Sequence, residues 1–185
     1  AHWQNSKQVG DYLEEQVVYW NQQLEGVEPL IMPSRLTRPA VQTYVGNHIY
    51  FKLDIVLLNR LKALANETGT TLFMVMLAGV QVWLAKYSGQ QDFCVGTPIA
   101  NRNRAEVEPL IGFFINSLAL RADLRGDPSV SDLLERVKRT TLEAYEHQDL
   151  PFERIVDNLV NERDLSRSPI FQVMFALLNV PDTAQ

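Results

Sequence analysis

The stretch LFMVMLAGVQVWLA, Leu72 to Ala85, carries a single polar side chain, that of Gln81. A helix that is apolar on every side must be covered on every side, by protein or by lipid. The run falls short of the roughly 20 apolar residues that cross a bilayer, so it is expected in the interior of a layered fold. Thr70 or Thr71 opens the helix and Gly89 closes it, and Phe73 and Trp83 read as core residues.

The other elements must supply that cover. A helix is expected from about Val9 to Leu24, stopped by Gly26, Pro29 and Pro33, with a Pro-dotted loop running on to about Thr43. Between Tyr44 and Leu53, the residues Tyr44, His48 and Tyr50 alternate with Val45, Ile49, Phe51 and Leu53, a period of two that predicts a strand. Asp54 caps a helix that ends at Gly69. The runs Asp92 to Ala100, Phe113 to Leu124 and Pro169 to Val180 are apolar on both faces, as interior strands are. Ser129 or Ser131 opens a helix with Leu133, Val137, Thr140 or Thr141, and Ala144 inward; Ser129 and Asp132 are spaced as a capping box. Pro151 sits at the first turn of a short helix through Val160. Strands and helices that alternate without regular βαβ spacing point to an α+β fold with a mixed sheet.

Composition narrows the function. With 22 acidic and 17 basic residues, the 185-residue chain has a formal charge of −5, which offers no basic field for nucleic acid or an anionic membrane. Cys94 stands alone, so neither an internal disulfide nor a cysteine-based zinc cluster is available, and a reducing, cytoplasmic setting is expected. The opening AHWQNSKQVGDYLEEQ has no apolar targeting core.

Three groups of residues invite a chemical reading. His147 precedes Asp149 by two places in HQDLPFERIVDNL. It is either a general base or a residue that caps the end of its helix, where the dipole favours the imidazolium and weakens a base. His48 reads as a strand-face residue and His2 as terminal. Asn116, in IGFFINSLALR, places a primary amide in an apolar run, so it is either satisfied by neighbours or turned into a cavity. Arg102 and Arg104 lie in a polar loop that is either solvated or aimed at an acidic partner. No HExxH, GxSxG or Gly-rich phosphate loop occurs.

Taken in order, VGTPIANRNRAEVEPLIGFFINSLALR, HQDLPFERIVDNL and RDLSRSPIFQVMF resemble the later core motifs of the condensation domains of nonribosomal peptide synthetases. AHWQ resembles the end of that family's Y-x-D-[FY]-A-x-W-Q signature. The resemblance runs over almost the whole chain.

It implies a fold similar to chloramphenicol acetyltransferase, in two lobes with a tunnel between them, of which residues 1–185 would be the C-terminal lobe. The family's catalytic HHxxxDG motif matches none of His2, His48 and His147, so the catalytic histidine is expected in an N-terminal lobe upstream. His147, Asp149 and Pro151 then fall in a structural motif. The implied reaction joins a donor acyl or peptidyl thioester to the α-amine of an acceptor aminoacyl thioester, both borne on 4′-phosphopantetheine arms of upstream and downstream carrier proteins, beside an adenylation domain. No cofactor or metal is implied on the chain itself. Asn116, Gly112 and Ser117 would line the tunnel, and Arg102 and Arg104 would reach toward the other lobe or a carrier. GFFIN favours an ordinary amide-forming member over heterocyclizing relatives. Rival readings are a non-catalytic half-domain that docks carrier proteins and an acyltransferase acting on a coenzyme A thioester.

Overall fold

The computed structural model describes residues 11–34, 41, 45–102, 106–107, 109–159, 164 and 166–178. They form five helices and an antiparallel pair of strands: α1 (Asp11–Leu24), α2 (Ile55–Glu67), α3 (Leu72–Ser88), β1 (Asp92–Ile99), β2 (Asn116–Asp123), α4 (Val130–Glu146) and α5 (Phe152–Leu159).

The helix ends follow the local chemistry. Asp54 accepts from the Leu57 amide at 2.7 Å, and Thr71 accepts from that of Met74 at 3.2 Å. Gly89, in the left-handed region at φ 77°, closes α3. Ser129 and Asp132 complete the reciprocal capping box of α4.

β1 and β2 pair from Asp92↔Asp123 to Ile99↔Asn116. Phe93, Cys94 and Val95 in β1 and Leu118, Ala119 and Leu120 in β2 are fully buried, as expected of strands without alternation. The sheet is thus two-stranded and antiparallel rather than mixed. Its one parallel contact among the described residues is an isolated bridge, in which the Gly96 amide donates to Val173 O at 2.9 Å and its carbonyl accepts from the Phe175 amide at 2.8 Å, opposite Met174. The strand expected over Pro169 to Val180 is therefore a single bridge; its last two residues lie outside the described set.

α4 packs on β2 and on α3, and α3 in turn on α2; α1 packs against α5. At one end of the sheet, Arg121 makes a two-pronged pair with Asp92, at 2.8 and 2.7 Å, and donates to the carbonyls of Gln23 and Glu25. That places the C-terminal end of α1 against the strands.

Three further expectations need correction. Residues 45–53 make no strand, and Ile49 and Tyr50 are 89% and 90% exposed. The alternation is real, since the rings of His48 and Tyr50 share a side at 6.2 Å, but a strand needs a partner edge and none of the described residues supplies one. The second strand begins at Asn116 rather than Phe113, because β1 ends at Ile99 and the ladder ends with it. Nor is α3 covered all round. Met74, Val75, Leu77, Ala78, Gln81 and Leu84 face inward, whereas Trp83 is 57% exposed and stacks on Tyr87 at 5.9 Å. Apolar composition says that a helix has a buried face, and the positions of its neighbours decide which one. Phe73 does pack inward, against Phe175 at 5.4 Å.

No single helix among the described residues is long and apolar enough to cross a membrane; α2 and α3 meet that measure only as a pair bent by 106°.

Candidate functional site

The segment from His147 to Phe152 joins α4 to α5, and side chains from two other elements hold its backbone. Asn116 reaches it from the start of β2. Its Nδ2 donates to the carbonyls of Gln148 and Leu150 at 3.0 and 2.9 Å, and its Oδ1 accepts from the amides of Phe152 and Ser117 at 3.0 and 2.9 Å. The primary amide is thus satisfied within the protein.

α1 grips the same segment from the other side. Gln16 Oε1 accepts from the Leu150 amide at 2.9 Å, and the Tyr12 hydroxyl donates to Asp149 Oδ2 at 2.7 Å. Trp20 Nε1 donates to the His147 carbonyl at 2.9 Å. Tyr12, Gln16, Tyr19 and Trp20 stand at i, i+4, i+7 and i+8, one face of a helix. Sequence reasoning missed these residues. The usable signal was that this face carries polar tips on large side chains rather than plain hydrocarbon.

His147 is the C-cap of α4. Its amide and its Nδ1 both meet Glu143 O, at 3.2 and 2.8 Å, and its ring lies flat on Tyr19 at 3.9 Å. A carbonyl only accepts, so Nδ1 carries the proton. Asp149 is engaged by Tyr12. Two residues that looked like a base and its partner therefore anchor a turn, which is the capping alternative. Burial, followed by the nearby carboxylates of Glu143 and Glu146, pushes the Tyr19 phenol above its ordinary range.

Between the strands, the described residues 100–102, 106–107 and 109–115 form an excursion. Arg102 holds it together, donating to the carbonyls of Val107, Leu110 and Gly112 and lying 4.3 Å over the Phe114 ring. Its guanidinium is committed to its own loop; Arg104 lies outside the described residues. Beyond this clasp, Ile111 and Phe113 project into solvent, Phe113 at 88% exposure, and Ile115 is also exposed. Gly112 is exposed, and a Cβ there would come within 3.0 Å of the Phe114 ring.

The third motif closes on the same place. The Phe171 and Phe152 rings are 5.0 Å apart, and Gln172 Oε1 accepts from the Leu30 amide, in the turn after α1, at 2.6 Å. Segments around residues 116, 150 and 171 thus converge at one end of the sheet, against α1 and its turn. Among the described residues no group of three or more His, Cys, Asp or Glu side chains is placed to hold a metal.

Cys94 stands apart from this convergence, inside β1. Burial raises its thiol to about 12, which leaves about one thiolate in ten thousand at pH 8. Ellman's reagent is expected to leave it untouched in the folded protein at pH 8 and to react with one thiol after guanidinium unfolding. Rapid native reaction would show that the strand opens.

A family model described as Condensation domain matches residues 1–185, and the chain belongs to that family. It is 53% identical to one of the linear gramicidin synthase proteins of Brevibacillus parabrevis, over 100% of this chain and 2% of the relative. With one of the plipastatin synthase proteins of Bacillus subtilis the identity is 44%, over 97% and 7%. Among solved structures, a four-domain nonribosomal peptide synthetase bound to AMP and glycine superposes with a TM-score of 0.88 at 27% identity, over 94% of this chain and 13% of that one. The X-domain from teicoplanin biosynthesis gives 0.85 at 26%, over 93% and 40%. The chain therefore spans a small part of the curated relatives and well under half of either structure. The α+β class and the likeness to the chloramphenicol acetyltransferase fold hold for this chain.

Proposed function

We propose that these residues are the C-terminal lobe of an amide-forming condensation domain. In the reaction, the α-amine of an aminoacyl thioester on one carrier protein attacks the carbonyl carbon of an acyl or peptidyl thioester on another. The new C–N bond forms as the C–S bond breaks, the amine loses a proton, and the donor carrier leaves with a free phosphopantetheine thiol. The carriers bring that arm with them.

The observation that supports this reading is the convergence of the three motif segments on one end of the sheet. The segment 112–117 leaves that end with Asn116 and Ser117 fixed at its base, which suits it to form one wall of a substrate tunnel. Asn116 acts there by holding the wall, since its amide is engaged with the 148–152 turn. Arg102 shapes the excursion from within, and Arg102 and Arg104 are the candidates for a charged contact with a carrier or the other lobe. No histidine of the chain matches HHxxxDG, so the group that accepts or directs the amine proton belongs to the other lobe.

The test is amide formation by the longest native reading frame that contains residues 1–185, supplied with donor-loaded and acceptor-loaded carrier proteins. Product is expected on the acceptor carrier by intact-protein mass spectrometry, and residues 1–185 alone are expected to give none. Turnover by residues 1–185 alone, or binding of loaded carriers by the full frame without turnover, would count against the reading.

A further inference from the structure

α1 carries none of the three motifs, yet each motif is bonded to it or to its following turn. Arg121 meets the carbonyls of Gln23 and Glu25, the 147–150 segment meets Tyr12, Gln16 and Trp20, and Gln172 meets the Leu30 amide. The two sides of this frame join at Leu150. Its N–H goes to Gln16 and its carbonyl to Asn116, both at 2.9 Å, from partners 134 and 34 residues away in the chain. Gln16 and Leu150 are each 2% exposed, so water has little access to stand in for either.

We infer that Gln16 is a positioning residue of the condensation site: by fixing the Leu150 amide opposite Asn116, it sets the direction in which residues 112–115 leave the sheet. The inference rests on the reading of 112–117 as a tunnel wall. A buried amide that loses its acceptor must move toward another. Asn116 has both N–H groups on the Gln148 and Leu150 carbonyls, so its amide plane follows that movement. Asn116 is also where the paired ladder starts, hence the last fixed point before the unpaired 112–115 segment.

Gln16→Met keeps the side-chain length and removes the acceptor; Gln16→Glu, protonated when buried, keeps a carbonyl oxygen there. The experiment is hydrogen exchange followed by mass spectrometry on the full native frame. In Gln16→Met, the amides of 116–117 and of 147–152 are expected to exchange about tenfold faster, while 93–97 and 118–122 stay unchanged. In Gln16→Glu both segments are expected to return to within about threefold of the parent protein. Acceleration confined to 147–152, or spread over the whole sheet, would overturn the inference, because the first is a local role and the second plain destabilisation.

Turnover gives a second readout. In Gln16→Met, kcat for amide formation is expected to fall about tenfold with the acceptor KM within about threefold; an unchanged kcat overturns the inference. If the parent protein forms no amide at all, the proposed reaction fails while the exchange pattern still decides the positioning role. Should Gln16→Met not fold, Tyr12→Phe removes the hydroxyl bonded to Asp149 and is read by the same segments.

Discussion

Asn116→Leu is expected to lower the free energy of unfolding by about 2–4 kcal/mol, read as a lower urea midpoint at unchanged slope. The amide makes four hydrogen bonds, two given to the carbonyls of Gln148 and Leu150 and two accepted from the amides of Ser117 and Phe152. Each is worth about 1 kcal/mol net, but a buried backbone group left without a partner costs about 1–3 kcal/mol. Gln148 and Phe152 are only half-buried, so water recovers part of the loss. Asn116 and Ser117 are likewise only half-buried, so water can also reach part of the clasp itself. These offsets keep the figure below the sum of four orphaned groups.

Asn116→Asp separates donor from acceptor. It keeps the oxygen that serves Ser117 and Phe152 but turns a second oxygen toward two carbonyls. The folded state then disfavours the carboxylate, which raises that carboxyl's pKa above its unfolded value of about 3.9. A group raised on folding contributes its stability below the unfolded pKa and loses it as pH rises through the folded one. The Asp variant should therefore be as damaged as the Leu variant at pH 7 and recover part of the loss near pH 4. A urea midpoint for Asn116→Leu equal to the parent's would show that the turn stands without its clasp.

How far this site can be read from the chain depends on the range of the interaction. Elements set by neighbours a few residues apart were legible: the caps at Asp54 and Gly89, the N-cap of α3 to within the pair Thr70 and Thr71, the box at Ser129 and Asp132, and the apolar runs that became β1 and β2. So were the motif strings, because they are contiguous. Contacts across the fold were not. An alternating run such as 45–53 states its two faces but not whether an edge is present to pair with it. Trp83 looks like core because it sits in an apolar helix, yet only the location of α2 and α4 turns it outward. For Asn116 the sequence posed the right question, a polar amide in an apolar run, and could not answer it, because the answering carbonyls lie 32 and 34 residues further on. The α1 stripe was hidden for the same reason. Its partners are more than 120 residues away.

Gly96→Ala should have an effect comparable to that of Asn116→Leu through packing alone. Gly96 lies in the middle of β1, bridged to the 173–175 segment on one edge and paired with Ala119 on the other. A Cβ added there would stand 2.5 Å from Cδ2 and 2.6 Å from Cζ of Phe171, well inside van der Waals contact. The obstacle is the body of a ring, not the mobile tip of a chain, and Phe171 is itself buried and packed on Phe152. Removing a glycine from a strand gains roughly 0.5–1 kcal/mol from the unfolded chain, whereas overpacking a tight interior costs about 1–3 kcal/mol and sometimes more. Sterics should win, with a net loss of about 1–3 kcal/mol. The strain is expected to be relieved by displacement of Phe171, which would carry the third motif segment off the sheet edge. Phe171→Leu shortens the obstruction, so the two changes are expected to be non-additive: Gly96→Ala should cost about half as much in the Phe171→Leu background as in the parent protein. Denaturant unfolding of the four proteins in that cycle measures the coupling. Strict additivity would mean that the alanine methyl is accommodated by a shift of β1 itself, and that the ring over Gly96 does not hold the third segment in place.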